Sequence, residues 1–366
     1  MALKPSYQIP TLPPAGVVEN ASLLKALARA HRYLAELKGR AGTIPNQGIL
    51  IDTLSLQEAK ASSEIENIVT THDELFQLNA FPDKLGSPAA KEVSRYRDAL
   101  RHGYEEQLRH KGLITNNVII AMFRILKRTD GAFRDTPGTA LKNEATGELV
   151  YIPPQDANQV VANMNDLETF LNSDDDQDGL DLLTKMAIIH HQFESIHPFS
   201  DGNGRLGRII NVLYLTRTGL LDIPILYLSR YITRNKGEYY RLLQFVRETG
   251  EWDEWLHYVI RGVEETARET LELVEQISGL MIATKQKMRT DHEKIYSHDL
   301  LNNLFRYPYT RIDSVQKELR VSRPTATKYL EELTQSGLLT KHREGRSNYY
   351  INGSLVALFV DVVPTD

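Results

Sequence analysis

The chain has 366 residues, of which 41% are hydrophobic and 25% are charged, and its formal net charge is −5 at pH 7. This length allows a sizeable core in two or three units, and the charge gives no overall attraction to nucleic acid or to a membrane surface. The sequence contains no cysteine, which excludes disulfides, thiolate nucleophiles and cysteine metal sites. Because no stretch has the apolar character of a signal peptide or a membrane span, we expect a cytoplasmic protein without membrane contact.

The first part of the chain is predicted to be a proline-containing arm, residues 1–18, followed by helices. A second helix is predicted from about residue 52 to residue 69. It carries Ser62 and Glu66, which are four residues apart and therefore share a helix face. On spacing alone, this pattern favours an ordinary solvated helix face.

Helical periodicity continues over residues 88–126, and then the pattern changes. A turn-rich segment, residues 143–147, precedes the β-prone residues 149–152, so a β-hairpin is predicted over residues 142–154. By itself this pattern is equally typical of a plain surface hairpin. The acidic run at residues 173–178 is predicted to be a solvated loop, because its spacing is not that of an EF-hand.

The most informative stretch is residues 197–208, His-Pro-Phe-Ser-Asp-Gly-Asn-Gly-Arg-Leu-Gly-Arg, which lies between two helical segments. Pro198 disfavours helix at His197, and the helical period restarts at Leu206. A glycine-bearing turn that leads into a helix presents free backbone N–H groups beside the positive end of the helix dipole. The sequence therefore predicts a phosphate-binding loop.

The residue types of this loop suit phosphate binding. Gly202 and Gly204 allow positive φ and a close approach of the backbone to an anion. Arg205 and Arg208 are three residues apart, so both guanidinium groups could reach phosphate oxygens.

Two further side chains suit the chemistry of a nucleotide phosphate. Asp201 is a hard oxygen ligand of the kind that Mg²⁺ takes, and His197 titrates near neutral pH and can accept a proton from a hydroxyl. His190, Glu194 and His197 also share a helix face, which is the alternative of a zinc cluster. We favour the loop, because the order of these residues is not the two-histidine zincin motif.

The C-terminal part is predicted to contain a long linking helix over residues 262–290 and then a helix-turn-helix over residues 312–333. Strands at residues 338–341 and 347–351 around Gly345 would complete a wing, so this part resembles a winged-helix domain. Acidic residues dilute its basic charge, which leaves DNA binding and protein interaction, including a homodimer, as equal alternatives. The side chains that could contact DNA are Arg323, Thr325, Thr327, Lys328, Arg343 and Arg346.

Residues 197–208 match the signature of the Fic (Fido) family, His-x-Phe-x-Asp/Glu-Gly-Asn-Gly-Arg-x-x-Arg, at every specified position, and the chain resembles this family. The resemblance implies a mainly α fold: a Fic-type helical core with a small β-hairpin flap, to which a C-terminal winged helix-turn-helix domain is added. We therefore divide the chain into four parts. These are an N-terminal arm with an inhibitory helix (1–87), a catalytic core (88–260), a linking helix (261–291) and a winged-helix-like domain (292–366).

The resemblance also implies an activity, the transfer of AMP from ATP to a Tyr, Thr or Ser hydroxyl of a protein with release of pyrophosphate. His197 would be the catalytic base, Asp201 the Mg²⁺ ligand, and Tyr240, with Tyr239 as the alternative, would flank the adenine. The hairpin over residues 142–154 would be the flap that holds the target segment. The implied phosphate-binding residues are Gly202, Asn203, Gly204, Arg205, Leu206, Gly207 and Arg208.

Ser62, Glu66 and Asn67 fit the family's inhibitory pattern, Ser/Thr-x-x-x-Glu-Gly/Asn, here N-terminal to the signature. In the family this glutamate pairs with the second arginine of the signature, here Arg208, and so competes with the γ-phosphate of ATP. Two alternatives stay open. One is a related reaction on the same scaffold, either transfer of another phosphate-containing group or removal of AMP. The other is a DNA-binding regulator whose Fic core is a sensor.

Overall fold

A computed structural model of the chain describes residues 7–80, 86–142, 146–173, 178–344 and 347–360, and within these residues the chain is mainly helical, with fifteen α-helices and five short β-strands. The helices are α1 (Ala21–Ala41), α2 (Gly48–Ile65), α3 (His72–Ala80), α4 (Pro88–Arg109), α5 (Asn116–Lys127), α6 (Ala157–Asn172), α7 (Leu182–Ile196), α8 (Asn203–Arg217), α9 (Leu228–Arg234), α10 (Lys236–Thr249), α11 (Asp253–Asp291), α12 (His298–Arg306), α13 (Ile312–Leu319), α14 (Arg323–Gln335) and α15 (Gly353–Val360). The strands are β1 (Leu141–Lys142), β2 (Leu149–Tyr151), β3 (Tyr309–Arg311), β4 (Thr340–Glu344) and β5 (Ser347–Ile351).

The helices α7 and α8 form the centre of the helical core. Every residue of α7 from Leu183 to Ile196 is buried, and α8 is buried over most of its length. A helix that is covered on all sides is fixed by packing, because each buried Leu, Ile or Phe side chain stabilises the fold by about 1.5–3 kcal/mol. The loop therefore connects two helices whose positions are fixed by packing.

The antiparallel pair β1–β2 confirms the predicted hairpin. Leu141 pairs with Tyr151, and Lys142 pairs with Leu149. Residues 143–145 of the predicted turn lie outside the described residues. The Tyr151 hydroxyl donates a hydrogen bond to the Ser195 carbonyl oxygen at 2.8 Å, which anchors the second strand to α7.

Several predicted helix boundaries are wrong. The second helix, α2, begins at Gly48 rather than near residue 52, and it ends at Ile65 rather than at residue 69. Its early end has a local cause, since Asn67 adopts the left-handed conformation with φ of 60°. The long C-terminal helix α11 begins at Asp253, so it runs unbroken past the expected boundary at residue 261.

The C-terminal elements follow the order α12, β3, α13, α14, β4, β5, α15, and their strands form an antiparallel sheet in the order β3-β5-β4. The helix α14 begins where predicted, because the Ser322 side chain caps it and Pro324 occupies its first turn. Gly345 and Arg346, at the tip of the predicted wing, lie outside the described residues, as do residues 174–177 of the acidic run.

These C-terminal elements pack against α2 and α3. Arg306 Nε donates to Asp52 Oδ2 at 2.5 Å, and the Tyr309 hydroxyl donates to the Asp73 carboxylate. The Phe76 ring lies between those of Tyr309 and Phe359, with centroid separations of 5.6 and 5.9 Å. The helix that carries Ser62 is therefore in direct contact with the C-terminal part. Among the described residues, no helix has both the length and the apolar composition that a bilayer-spanning segment requires.

Candidate active site

The loop from His197 to Gly202 is closed by the side chain of Asn203. The Asn203 Oδ1 accepts from the Phe199 backbone N–H at 2.9 Å, and its Nδ2 donates to the Phe199 carbonyl oxygen at 2.8 Å. The Phe199 ring stacks on Phe123 with a centroid separation of 4.1 Å. The side-chain amide of Asn203 therefore holds the loop in shape instead of facing an anion, so only its backbone N–H can contribute to phosphate binding.

The N-terminus of α8 lies at the place where the sequence predicts an anion site. Gly202 is its N-cap with φ of 81°, a conformation that favours glycine, and this cap makes no side-chain hydrogen bond to the first turn. The backbone N–H groups of residues 203–205 have no intrahelical acceptors, because they belong to the first turn. They are therefore available to a bound anion.

Gly204 and Gly207 have close neighbours where a Cβ would lie, and the positive φ expected at Gly204 is wrong. Both lie inside α8, where the backbone is helical. A Cβ on Gly204 would overlap the Glu66 carboxylate and lie 3.0 Å from Arg208 Nη1. A Cβ on Gly207 would lie 3.0 Å from Glu194 Oε1. The groove along this face of α8 is thus filled by charged side chains from neighbouring helices.

Arg208 is bound by the end of α2. Its side chain is 1% exposed, and its Nε donates to Ser62 Oγ at 2.8 Å. Its Nη2 donates to the Ser62 carbonyl oxygen at 2.9 Å and to Glu66 Oε1 at 2.8 Å. Burial opposes the charge of this guanidinium, but Glu66 outweighs burial and holds the pKa of Arg208 above its usual value.

Glu66 reaches Arg208 because of how α2 ends. Glu66 is the C-cap of the helix, and the left-handed Asn67 follows it. Lys236, at the start of α10, donates to Asn67 Oδ1 at 3.2 Å. Glu66 pairs with Arg208, as the resemblance implies, but the sequence gives no sign of the contribution of Lys236.

Arg205 lies on the other side of the loop, in a second charged cluster. It is 2% exposed, and its Nη1 donates to Glu92 Oε1 at 2.6 Å. Lys127 Nζ lies 2.5 Å from Asp201 Oδ2 and 3.7 Å from Glu92 Oε1. Glu92 and Lys127 come from α4 and α5, far from the signature in sequence, so sequence reasoning missed them.

Asp201 has the properties of a ligand for Mg²⁺. Its side chain is 62% exposed at the mouth of the loop. Burial would raise its pKa, but the hydrogen bond and charge of Lys127 and the charge of Arg205 outweigh burial and lower it. An ionised, accessible carboxylate fits a cation that takes most of its other ligands from phosphate and water. Lys127 occupies the same carboxylate, so a metal ion would have to displace it.

His197 is the C-cap of α7, in the left-handed conformation with φ of 50°. Its carbonyl oxygen accepts from Arg134 Nε at 2.8 Å, and its ring Nδ1 has no hydrogen-bond partner among the described residues. The sequence predicts titration near neutral pH, and this is wrong. Burial, followed by the charges of Arg247 and Arg134, lowers the pKa of His197 to about 4. At pH 7 the imidazole is therefore neutral and can accept a proton.

A cavity of about 500 Å³ brings most of these groups together. The hairpin lines one side of it, with the end of α2, the end of α7 and the start of α8 on the others. Tyr240, on α10, is 45% exposed and lies at this cavity, whereas Tyr239 is buried and its hydroxyl is bonded to His190 Nε2 at 2.9 Å. The lining residues are Ile65, Glu66, Asn67, Leu141, Lys142, Val150, Glu194, His197, Gly204, Arg208, Lys236, Tyr239, Tyr240, Leu243 and Arg247.

Two further charged residues of this cavity, the buried Glu194 and the half-buried Arg247, were not assigned a role in the predicted phosphate site. Glu194 lies one turn before His197, its Oε1 has no hydrogen-bond partner among the described residues, and burial raises its pKa to about 7. Arg247 Nε donates to Ser195 Oγ at 3.0 Å, and its guanidinium lies 4.1 Å from the centroid of the Tyr151 ring. Glu194 is the one acidic side chain of the buried helix α7, and this was the available signal.

The zinc alternative finds no support in this geometry. His190 is held by Tyr239 on one ring nitrogen, and Asn211 Nδ2 lies 3.0 Å from the other. Within the part of the chain that the structure describes, no group of three or more His, Asp or Glu side chains is placed to hold a metal ion.

Three family models match the chain, and together they span most of it. The N-terminal model of the Fic/DOC family matches residues 24–105, and the Fic/DOC family model matches residues 113–215. The model of the C-terminal domain of SoFic-like protein adenylyltransferases matches residues 280–355.

Curated relatives of the chain are named protein adenylyltransferases. The chain is 29% identical over 187 residues to a probable protein adenylyltransferase of Aquifex aeolicus (strain VF5), which is 50% of this chain and 54% of the relative. It is 26% identical over 156 residues to the protein adenylyltransferase Fic-1 of Caenorhabditis briggsae, which is 42% of this chain and 28% of the relative. The chain therefore spans about half the length of the first of these relatives, and less of the second.

Solved structures share the fold. A Fic family protein from Desulfovibrio desulfuricans G20 superposes with a TM-score of 0.56 at 21% identity, over 92% of this chain and 98% of that chain. Residues 134–508 of Fic-1 from Caenorhabditis elegans superpose with a TM-score of 0.54 at 19% identity, over 70% of this chain and 73% of that chain. At these identities the likeness concerns the fold alone.

Proposed function

This chain belongs to the Fic/DOC family, as its signature indicates, and from this premise we propose that it is a protein adenylyltransferase. It transfers AMP from ATP to a hydroxyl side chain of a protein and releases pyrophosphate. The observation that carries the proposal is the joint position of a neutral, half-buried His197 and the open N-terminus of α8 beside one cavity. The names of the curated relatives support the same activity.

The chain's own residues supply a base and an anion site. The phosphates of ATP lie against the first turn of α8, where Gly204 leaves the backbone uncovered. The acceptor hydroxyl loses its proton to a ring nitrogen of His197, and its oxygen attacks the α-phosphorus. The bond from this phosphorus to the oxygen that bridges to the β-phosphate breaks, and pyrophosphate leaves with that electron pair. The catalytic contribution is mostly positioning and charge neutralisation.

Arg205, Arg208 and Asp201 act on the phosphates in this proposal. Arg208 binds the γ-phosphate once Glu66 has left it, and Arg205 acts from the other side of the loop. Asp201 is the residue that would hold Mg²⁺, after exchange of its bond to Lys127. Bound there, the cation would supply neutralisation of phosphate charge.

The flap and Tyr240 bind the two substrates. Strand β2 has exposed backbone beside the cavity, so an extended target segment can add to it and bring a Tyr, Thr or Ser hydroxyl to His197. The Tyr240 ring flanks the adenine, because it lies at the cavity and is half-exposed, whereas Tyr239 is buried.

The enzyme restrains itself through Glu66. The carboxylate of Glu66 occupies the guanidinium that should bind the γ-phosphate, and Ser62 holds the same guanidinium with two further bonds. Asn67 allows this placement, because its left-handed backbone ends α2 directly after Glu66. Full activity therefore requires displacement of Glu66 from Arg208.

The test is Glu66→Gly with ATP labelled on the α-phosphate. The variant frees Arg208 for the nucleotide, so self-labelling should rise about 10-fold or more, which corresponds to a gain of about 1.4 kcal/mol in productive binding. Intact mass and peptide mapping should show a mass gain equal to AMP on a hydroxyl residue. Glu36→Gly, on the exposed face of α1, is the control for the loss of a carboxylate away from the site.

A second variant separates base catalysis from binding. Glu66→Gly combined with His197→Ala should bind ATP but transfer no AMP. If the double variant labels itself as well as Glu66→Gly does, the assignment of the base is wrong. If Glu66→Gly labels no faster than the wild type, the inhibitory role of Glu66 is wrong.

The C-terminal elements support a second candidate function, a winged-helix regulator that binds DNA. The observation that favours it is α14, which follows a tight turn and exposes Arg323 and Lys328. Internal ion pairs offset part of this charge, because Arg323 binds Asp313 and Lys341 binds Glu331, each at 2.5 Å. A gel shift against random-sequence DNA at physiological salt separates the two functions, since only the regulator should select specific sites.

A further inference from the structure

A second cavity, of about 290 Å³, lies behind α2. This size is at the lower end of the range for small-ligand sites, about 300–1,000 Å³. α2 contributes Gln57, Lys60, Ala61 and Glu64 to its wall, and α9, α11 and α15 form the other walls. These four positions share one face of α2, whereas the positions that bind Arg208 lie on the opposite face. One helix therefore separates this cavity from the inhibited active site.

Two buried donors of this cavity have unused hydrogen-bonding capacity. The Tyr227 hydroxyl is buried and has no hydrogen-bond partner among the described residues, and the same is true of Gln57 Nε2. The Gln57 Oε1 is already used, because it accepts from His72 Nε2 at 2.6 Å. Both unused groups are donors, and a buried donor without an acceptor is costly. These two donors therefore have no acceptor within the described part of the chain.

The charged groups around the cavity are mostly cations. Lys60, Arg230 and Arg234 line it, and Glu64 is the acidic side chain among its described lining residues. Glu64 Oε2 lies 3.3 Å from Lys60 Nζ, and the Glu269 carboxylate lies 2.5 Å from Arg234 Nη1 and 3.5 Å from Arg230 Nε. The two unused donors therefore lie among cationic side chains. His72 adds no charge at pH 7, since burial and these cations lower its pKa to about 4. An acceptor that also carries negative charge fits best.

The remaining wall is apolar. Ala61 of α2, Leu273 of α11, and Phe359 and Val360 of α15 line it. We propose that this cavity is an effector site for a small phosphate or carboxylate with an apolar or aromatic body, and that the bound effector holds α2 in the position in which Glu66 binds Arg208. The anionic group lies between Lys60 and the arginines of α9, and the body lies on the apolar wall.

The direction of the effect follows from linkage, and it rests on the proposed inhibitory role of Glu66. The cavity is formed in the arrangement in which Arg208 is bound by Ser62 and Glu66. Thr233 of α9 supports this arrangement, since its hydroxyl donates to the Ala61 carbonyl oxygen at 3.1 Å. A ligand that bridges α2 and α9 stabilises the state in which it binds best, so it should deepen inhibition.

The binding test uses phenyl phosphate as the probe and isothermal titration calorimetry with the full chain. Lys60→Gln should weaken binding about 10-fold, because a charge-assisted bond is lost. Tyr227→Phe should weaken it about 5-fold, and this variant should fold normally, since the hydroxyl loses no hydrogen bond to any described residue. Arg32→Gln, which breaks an exposed ion pair on α1, is the control and should bind like the wild type. Benzyl alcohol, which has the body without the charge, should bind more weakly than phenyl phosphate.

The activity test separates this inference from the proposed function. Phenyl phosphate should lower AMP transfer by the wild type and leave Glu66→Gly unaffected, whereas competition with ATP at the active site would inhibit both. Equal binding to the wild type, Lys60→Gln and Tyr227→Phe, or no binding at all, overturns the effector site, even if Glu66→Gly is activated as proposed. Selective binding without activation of Glu66→Gly supports the site and removes the proposed inhibitory role instead.

Discussion

Glu194 and His197 lie one turn apart on α7 and respond to the same surroundings in opposite ways. Burial disfavours the charged form of each group, so it raises the pKa of Glu194 to about 7 and lowers that of His197 to about 4. The sequence identified His197 from the signature, but it could not give either pKa. Those values depend on Arg134, Arg208 and Arg247, which other segments of the chain bring to this place.

Glu194→Gln should make stability less dependent on pH. The pKa of Glu194 is raised on folding, so its contribution to stability is fully present below about pH 4.5 and is lost as the pH rises through 7. Because Gln cannot ionise, the free energy of unfolding of the variant, relative to that of the wild type, should rise by about 2 kcal/mol from pH 5 to pH 8. Urea unfolding at both pH values measures this, with Glu36→Gln on an exposed face as the control. If the free energies of unfolding of the variant and the wild type differ by the same amount at pH 5 and pH 8, the raised pKa of Glu194 is wrong.

At the scale of elements, the way α2 ends determines its contact with Arg208. The spacing of Ser62 and Glu66 predicted a shared helix face, yet the helix ends before Glu66. The contact with Arg208 exists because the chain leaves the helix there and Asn67 turns it. Sequence periodicity describes helix interiors well and helix ends poorly, since ends depend on backbone conformation and on distant partners such as Lys236.

Ser62→Ala should relieve inhibition in part. The variant removes the bond from Arg208 Nε to Ser62 Oγ but keeps the bond to the Ser62 carbonyl oxygen and the pair with Glu66. A hydrogen bond to a charged group contributes about 1.5–3 kcal/mol, so basal AMP transfer should rise, but by less than in Glu66→Gly. Initial rates of self-labelling measure both effects.

The double variant provides the control for Ser62→Ala. Because both residues act on one guanidinium, Ser62→Ala should add little once Glu66 is Gly. Full additivity of the two rate increases would mean that Ser62 acts on activity by a route other than Arg208.

For the molecule as a whole, the sequence predicted the mainly helical class, the flap hairpin and the position of the signature loop. It did not predict α3 or the contact of the C-terminal part with α2 and α3. Such contacts join residues more than 200 positions apart, such as Asp52 and Arg306, and no local pattern encodes them. They nevertheless attach the C-terminal part to the helix that ends at Glu66.

Arg306→Gln should loosen α2 and raise basal AMP transfer. The variant breaks the pair of Arg306 with Asp52, which is largely buried on α2. A rise of about 2- to 5-fold is expected, because a partly buried pair of this kind contributes about 1 kcal/mol. Arg323→Gln, which breaks an exposed pair within the C-terminal part, is the control. The same rise in a Glu66→Gly background would show that the contact does not act through α2.

Arg134 lies between the hairpin segment and the end of α7. Its guanidinium donates to the carbonyl oxygens of His197 and Ile196 and also to that of Pro154, the last residue of the hairpin segment 142–154. One side chain thus links the hairpin segment to the backbone that carries the His197 imidazole. In the proposed reaction, a target segment that binds to the hairpin through its backbone would place its hydroxyl side chain beside His197. The choice of target would then depend more on whether the segment can adopt an extended conformation than on which residues flank its hydroxyl side chain.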